Sequence, residues 1–221
     1  MSVESGAFME IEGVDGVYVA HTGKLSSTAI RLKSGGLCLY SPVAAMAKKG
    51  AAFFDRLGDV TILFAPNHYH NKGLAPYAAL FPDAKLVAPS NAEARLKKVT
   101  GLEFGGLDDL EKDLPDHIKL LKPDGLKTGE VWLQVKQDPE VVWIVTDAFS
   151  SERLPQGAYA EQPTLLGTFP KFGVQDAKTY REWVEREISE CEPTIVLPCH
   201  GSPIRGADLG SALLKLLDET F

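Results

Sequence analysis

Three histidines and one aspartate follow directly after short apolar segments, and they are the strongest candidates for chemistry in the sequence. They are His68 and His70 after residues 60–65, Asp147 after residues 141–146, and His200 after residues 194–199. Imidazole and carboxylate together suit zinc, iron or manganese. Because alternate residues of an extended loop share a face, the His-x-His pair can chelate one ion. The pattern therefore predicts a metal site.

The apolar segments before these residues predict strands that are buried on both faces of a sheet. Apolar residues at helical spacing predict helices at residues 43–57, 74–80, 90–99, 176–190 and 208–221. Short strands at residues 16–20, 27–32 and 37–40 are expected to open the chain as a meander. In α/β folds, ligands bind at the carboxyl ends of buried strands, so we expect the four candidates to meet there.

Composition narrows the possible partners. The 221 residues include 23 basic and 30 acidic side chains, which gives a formal net charge of −7 without any basic block. Such a chain lacks the basic surface that binds phosphate backbones, so nucleic acid is not an expected partner. The longest apolar runs are too short to cross a bilayer, and the first residues are acidic where a signal peptide is basic. We therefore expect a cytoplasmic protein without a membrane partner, and its oligomeric state stays open.

The remaining titratable residues have ordinary interpretations. The three cysteines, Cys38, Cys191 and Cys199, show no Cys-x-x-Cys pairing, which favours buried free thiols over disulfides or a thiolate metal site. Cys199 is expected to point away from the face that His200 uses. We expect His21 in an exposed loop and His117 in contact with solvent.

Residues 150–174 include three prolines and are predicted to form a surface excursion or lid. Two interpretations of its aromatic residues stay open. Tyr159, Phe169 and Phe172 either line the entrance to a substrate site or pack as a satellite apolar cluster. No repeat or long linker divides the sequence, so we expect one domain over residues 1–221.

The order and spacing of the four candidates resemble the metallo-β-lactamase superfamily. Its motif begins with His-x-His after a strand, continues with an aspartate in a setting like Thr146-Asp147-Ala148, and ends with a strand followed by histidine, as in His200-Gly201. The resemblance implies an αββα sandwich of four layers that covers the chain. It also implies ligand roles for His68, His70, Asp147 and His200.

Within that superfamily the first hundred residues are more similar to a branch known only as a domain of unknown function. The segments that carry this similarity include Arg31-Leu32, Gly36-Leu37-Cys38-Leu39-Tyr40-Ser41-Pro42-Val43, Ala65-Pro66-Asn67-His68 and Phe81-Pro82-Asp83-Ala84-Lys85. The similarity to this branch implies the same fold, but it implies no activity, because none is established for the branch.

The chain also departs from the superfamily motif. An aspartate and a histidine should follow the first pair, but Asn71, Lys72 and Gly73 stand there, and the third histidine is missing from residues 124–130. The resemblance therefore implies one divalent transition metal instead of two, with zinc first and iron or manganese as alternatives, or none. Besides His68, His70 and Asp147, the fourth ligand would be His200 or Glu130. Three protein ligands and a water suffice for a catalytic zinc.

Two functions follow from this reduced ligand set. The first is a hydrolase with one metal that acts on a small ester, thioester, amide or phosphoester. In it, Lys72 stabilises negative charge and His200 is a ligand or proton donor. The alternative is a binding or interaction domain with a metal-free pocket, in which His68 and His200 hydrogen-bond across the cleft and Asp147 pairs with Lys72. A small-molecule ligand suits both.

Overall fold

The fold is described by a computed structural model of residues 7–221, whose side chains are described except at residues 48–52. The first sheet contains, in spatial order, β1 (Met9–Ile11), β2 (Val14–Thr22), β3 (Leu25–Arg31), β4 (Leu37–Tyr40), β5 (Val60–Phe64) and β6 (Lys85–Val87). The second contains β7 (Ile118–Leu121), β8 (Trp132–Gln137), β9 (Glu140–Val145), β10 (Ile195–Pro198) and β11 (Ile204–Arg205), in the spatial order β11-β10-β9-β8-β7.

Most of the helices pack on the outer faces of the two sheets. The helices are α1 (Ala47–Leu57), α2 (Leu74–Leu80), α3 (Ser90–Thr100), α4 (Asp108–Asp113), α5 (Phe169–Phe172), α6 (Ala177–Glu190) and α7 (Leu209–Thr220). A 3-10 turn, Ala44–Met46, precedes α1. No helix within residues 7–221 has both the length and the apolar character that a bilayer span requires.

Three apolar clusters show how the layers pack. Side chains alternate along each strand, so each sheet has two faces to bury. One cluster lies between the sheets and includes Ile30, Phe64, Leu133 and Ile144. A second packs the outer face of the first sheet against α1, α2 and α3, and a third packs the second sheet against α6 and α7. Two sheets between two layers of helices confirm the αββα sandwich.

Parallel pairing brings the loops of the candidate site together. In the first sheet β4 runs parallel to β5, and in the second β9 runs parallel to β10, so each pair ends at the same edge. Hydrogen bonds join the two sheets at that edge. The backbone N–H of Ser26 donates to Cys199 O at 2.8 Å, that of Val131 donates to Pro66 O at 2.9 Å, and Tyr40 Oη donates to Val131 O at 2.8 Å.

The structure also extends and corrects the elements expected from sequence. β1, α4 and β11 were not predicted, because each is short and gives no clear periodic pattern. The helix expected from residue 43 begins as the 3-10 turn, with Val43 in an extended conformation (φ −105°, ψ 117°). His21 lies inside β2 and is only 7 % exposed, so the expectation of an exposed loop histidine is wrong.

The bond from Tyr40 to Val131 gives the first testable prediction. We expect Tyr40→Phe to lower the free energy of unfolding by about 1–2 kcal/mol, because a buried carbonyl loses its donor. Denaturant unfolding measures the change. Tyr77→Phe is the matched control, since Tyr77 is equally buried and its hydroxyl has no hydrogen-bond partner within the described residues. Equal losses in both variants would contradict a linking role for Tyr40.

Candidate metal centre

Three of the four predicted ligands meet at the edge where the strands end. His70 Nε2 lies 3.1 Å from Asp147 Oδ1, and His200 Nε2 lies 3.0 Å from the same oxygen. The two imidazole rings are nearly perpendicular, at 87°, with centroids 5.6 Å apart. All three residues offer a ligand atom within 4.8 Å of the others. Two nitrogens and one oxygen therefore converge on one point.

Ser41 fixes the orientation of His70. Its Oγ lies 2.5 Å from His70 Nδ1, so Nε2 is the ring nitrogen that faces Asp147. Ser41 follows β4 and has a positive φ of 52°, an uncommon conformation for a residue with a side chain. A hydrogen bond at the far nitrogen is what holds metal-binding histidines in one tautomer and orientation. No residue pattern in the sequence indicated this role of Ser41.

Asn67 holds both the histidine loop and the aspartate. Its Nδ2 donates to Thr146 Oγ1 at 2.9 Å and to Asp147 Oδ2 at 2.8 Å. Its Oδ1 accepts from the backbone N–H of Tyr69 at 2.8 Å and of His70 at 3.1 Å. This fully buried amide thus uses all four of its hydrogen-bonding positions. Because Oδ2 of Asp147 accepts the hydrogen bond from Asn67, the other carboxylate oxygen, Oδ1, faces the two histidines.

Glu130 accepts hydrogen bonds from the turn that carries Asp147 and is not part of the ligand group. Its buried carboxylate accepts from the backbone N–H groups of Thr146 at 2.8 Å, Asp147 at 3.2 Å and Ala148 at 3.4 Å, and from Trp132 Nε1 at 2.9 Å. Burial and the charge of Asp147 raise the pKa of Glu130, while its hydrogen bonds act in the opposite direction. The structure thus gives Glu130 the role of fixing the turn that presents Asp147, in place of the fourth-ligand role considered from sequence.

A glycine turn presents His200. Gly201 has a φ of +115°, and a Cβ there would lie 2.4 Å from Ser151 O, so only glycine fits. The backbone N–H of Ser151 donates to His200 O at 3.2 Å, and Ser26 Oγ donates to Gly201 O at 2.9 Å. The position of His200 is therefore set by both sheets.

The three groups form a partly buried charge cluster. Burial disfavours the charged form of His70, but the charge of Asp147 and the hydrogen bond to it outweigh that effect and raise the pKa of His70 well above the usual value. Burial also works against the charged form of Asp147, yet His70 and His200 hold its pKa below the ordinary range. Asp147 is consequently a carboxylate whose negative charge is matched by imidazole groups.

Two predicted site residues lie apart from this cluster. His68 Nε2 lies 2.7 Å from Asn91 O, so the ring makes a different contact and is absent from the ligand group. Lys72 is exposed and lines the cavity above the cluster. The charged and polar partners of Asp147 are His70, His200 and Asn67, and not Lys72 as the metal-free alternative expected. The ligand role of His68 stays a prediction.

A cavity of about 710 Å³ opens directly above the three ligands. Exposed Phe172 lines it, which favours the substrate-entrance interpretation for that residue, whereas Phe169 both lines it and packs in the apolar cluster on the second sheet. Tyr159 borders a separate cavity of about 190 Å³ together with His21. Cys199 is a buried free thiol as expected, but it borders the larger cavity and its thiol helps to raise the pKa of His70. It therefore does not point away from the site.

Comparisons with known proteins identify the fold. No protein-family model and no curated protein matches the chain. A solved metallo-β-lactamase from Hirschia baltica is 14 % identical and has a TM-score of 0.65 over 98 % of each chain. One from Pontibacter korlensis is 13 % identical, with a TM-score of 0.62 over 96 % of this chain and 98 % of that one. DIM-1 metallo-β-lactamase is 11 % identical, with a TM-score of 0.65 over 97 % of each. The chain has the metallo-β-lactamase fold.

The residues that meet at this edge have the chemistry and spacing to fit one divalent ion. A tetrahedral ion with bonds of about 2.0–2.1 Å keeps its donors roughly 3.3 Å apart. The observed separations from Asp147 Oδ1 to the two Nε2 atoms, 3.1 and 3.0 Å, are close to that value. Ser41 hydrogen-bonds His70 Nδ1, and Asn67 hydrogen-bonds Asp147 Oδ2. These two atoms are the ones that a metal would not use, so the atoms that face the metal position stay available. Among the described residues, no second group of ligands is present to hold another ion.

The four hydrogen bonds of Asn67 give a second prediction. Asn67→Asp keeps the acceptor for the backbone N–H groups but replaces the donor to Asp147 with a second carboxylate. We expect it to lower the free energy of unfolding by about 3 kcal/mol, as loss of a hydrogen bond to a charged group with added repulsion requires. Asn71→Asp is the control, because the Asn71 side chain donates only to the exposed Tyr69 O. A cost no greater than that of Asn71→Asp would contradict the role of Asn67.

His21 gives a prediction about pH. Burial, aided by the positive charge of Arg153, lowers the pKa of His21 to about 4, below the unfolded value of about 6.5. Above pH 6.5 the residue is neutral in both states, and between pH 6.5 and 4 only the unfolded state takes up the proton. As the pH falls through that window, the free energy of unfolding of the wild type should therefore decrease by up to about 3 kcal/mol more than that of His21→Asn.

Denaturant unfolding at several pH values measures this difference. His117→Asn is the matched control, because His117 is exposed to solvent as the sequence predicted. As the pH is lowered, the free energy of unfolding of the His117→Asn variant should follow that of the wild type. Parallel profiles for His21→Asn and the wild type would show that His21 takes up its proton equally in both states.

Proposed function

We propose that the protein is a metal-dependent hydrolase that uses one divalent ion held by His70, Asp147 and His200. The observation that carries the proposal is the convergence of their three ligand atoms below a cavity of about 710 Å³. Zinc is the first choice for a set of two imidazoles and a carboxylate, with iron or manganese as alternatives. When bound, the ion would supply a Lewis acid that polarises a carbonyl and lowers the pKa of water.

The residues around the ion have distinct roles in this proposal. Ser41 and Asn67 hold His70 and Asp147 in place, so the ligand set needs little rearrangement. His200 is more open, with 22 % of its side chain exposed, so its ligand atom borders the cavity in which a substrate would bind. Lys72 lines the same cavity and provides a positive charge for a developing oxyanion.

The proposed ligand is a small molecule. The cavity lies within the range of small-molecule sites, about 300–1,000 Å³, and the net charge of −7 disfavours nucleic acid. We keep the cytoplasm as the proposed location and His68 as a candidate fourth ligand, which would first have to leave Asn91 O. Ester, thioester, amide and phosphoester substrates all belong to this proposal.

One observation favours a second candidate, a binding domain without metal. Asp147 Oδ1 already has two imidazole partners and Oδ2 has the amide of Asn67, so its charge is compensated without an ion. In this reading the triad is a structural ion pair at the floor of a ligand pocket. Metal binding decides between the two candidates.

Zinc titration followed by calorimetry, with elemental analysis of protein purified without chelators, tests the proposal. We expect one equivalent of metal in the wild type. His70→Ala, Asp147→Asn and His200→Ala should each weaken binding by at least about 100-fold, the upper end of what loss of an outer partner costs. His117→Ala is the matched control, because His117 is exposed and lies outside the ligand group, and it should bind zinc within about threefold of the wild type. Wild-type protein that binds no stoichiometric metal would support the metal-free candidate.

A further inference from the structure

The walls of the large cavity are apolar, in contrast to its floor. Two segments form most of these walls. The first is residues 42–45, a Pro-Val-Ala-Ala sequence that leads into the 3-10 turn, and the second is the end of the excursion, with Leu166, Phe169 and Phe172. Leu25 and Tyr69 add to the apolar lining, and the polar residues on it include Ser26, Asn71, Thr128 and Thr168. The three ligands lie at the floor between these walls.

Exposed apolar side chains concentrate at the entrance of this cavity. Six large apolar residues are exposed among the described residues: Leu25 (38 %), Tyr69 (44 %), Leu80 (42 %), Val99 (50 %), Phe172 (49 %) and Phe221 (44 %). Three of them, Leu25, Tyr69 and Phe172, line the same cavity, and the other three do not. Single exposed apolar residues need no explanation, but a cluster around a concave site indicates an apolar ligand.

The charges of the lining favour the uncharged members among the proposed substrate classes. Apart from the ligand group, Lys72 is the one charged residue that the structure places on the lining. A phosphoester carries charge on several oxygens and is normally met by an arginine, several cations or a set of backbone N–H groups. Besides a bound ion, Lys72 is the one cation available, so the mostly apolar lining matches an uncharged carbonyl compound better than a phosphoester.

We infer that the substrate is a carboxylic ester, thioester or amide that carries an extended apolar acyl or aryl group. That group lies between residues 42–45 and Phe172, and the carbonyl lies at His70, Asp147 and His200. This inference rests on the proposed hydrolase function. In the reaction, the oxygen of water bonds to the acyl carbon, and the bond from that carbon to the leaving oxygen, sulfur or nitrogen breaks. The leaving atom takes a proton, which gives a carboxylic acid and an alcohol, thiol or amine.

Calorimetric binding of two unreactive amides tests the inference without requiring catalysis. N-methylhexanamide and N-methylacetamide share the amide and differ by four methylene groups. Burial of each methylene favours binding about fourfold, so we expect the hexanamide to bind at least about 100-fold more tightly to the wild type. Phe172→Asp and Leu25→Asp should each weaken hexanamide binding by at least about tenfold.

Matched controls separate this result from a general loss of apolar surface. Phe221 and Leu80 are as exposed as Phe172 and Leu25 but lie outside the cavity, so Phe221→Asp and Leu80→Asp should leave binding unchanged. Equal binding of the two amides, or equal losses in the control variants, would overturn the inference even in a protein that binds zinc. Chain-length-dependent binding to a protein that takes up no metal would instead overturn the hydrolase and leave an apolar ligand site.

Discussion

The carboxylate of Asp147 is the group on which the rest of the site depends. One of its oxygens faces His70 and His200, the other accepts from Asn67, and its backbone N–H donates to buried Glu130. A carboxylate this far from solvent is stable only when its charge and both oxygens are satisfied. Because Asp147 follows β9 and its side-chain partners lie in the loops after β5 and β10, the same interaction positions the site and joins the two sheets at this edge.

Much of this arrangement could be predicted from the sequence, because it follows from patterns that are local. Continuous apolar runs identify the buried strands, and their carboxyl ends identify where polar residues can converge. Leu74–Leu80 and Leu37–Tyr40 match the expected bounds, and His70, Asp147 and His200 meet as the order of strands implied. The superfamily resemblance added the αββα layering, which no local pattern contains.

The details that the sequence missed depend on contacts between distant residues. His68 and His70 are equivalent in the pattern, but the Asx turn made by Asn67 and the bond from Ser41 select His70, while His68 turns to Asn91 O. Glu130 carries a carboxylate, as a metal ligand could, so its residue type does not show its role. Its hydrogen bonds from the backbone N–H groups of Thr146 and Asp147 show that it supports the turn. Likewise, the burial of His21 is set by elements that pack on β2 and not by its own neighbours in sequence.

Anomalous diffraction from crystals of zinc-loaded protein is the most direct measurement of the central claim, that one ion is held by His70, Asp147 and His200. A single strong peak at the zinc edge within bonding distance, about 2.0–2.2 Å, of His70 Nε2, Asp147 Oδ1 and His200 Nε2 is the expected result. Two peaks, a peak bonded to His68 in place of His70, or an unchanged Asp147 with no peak would each contradict it.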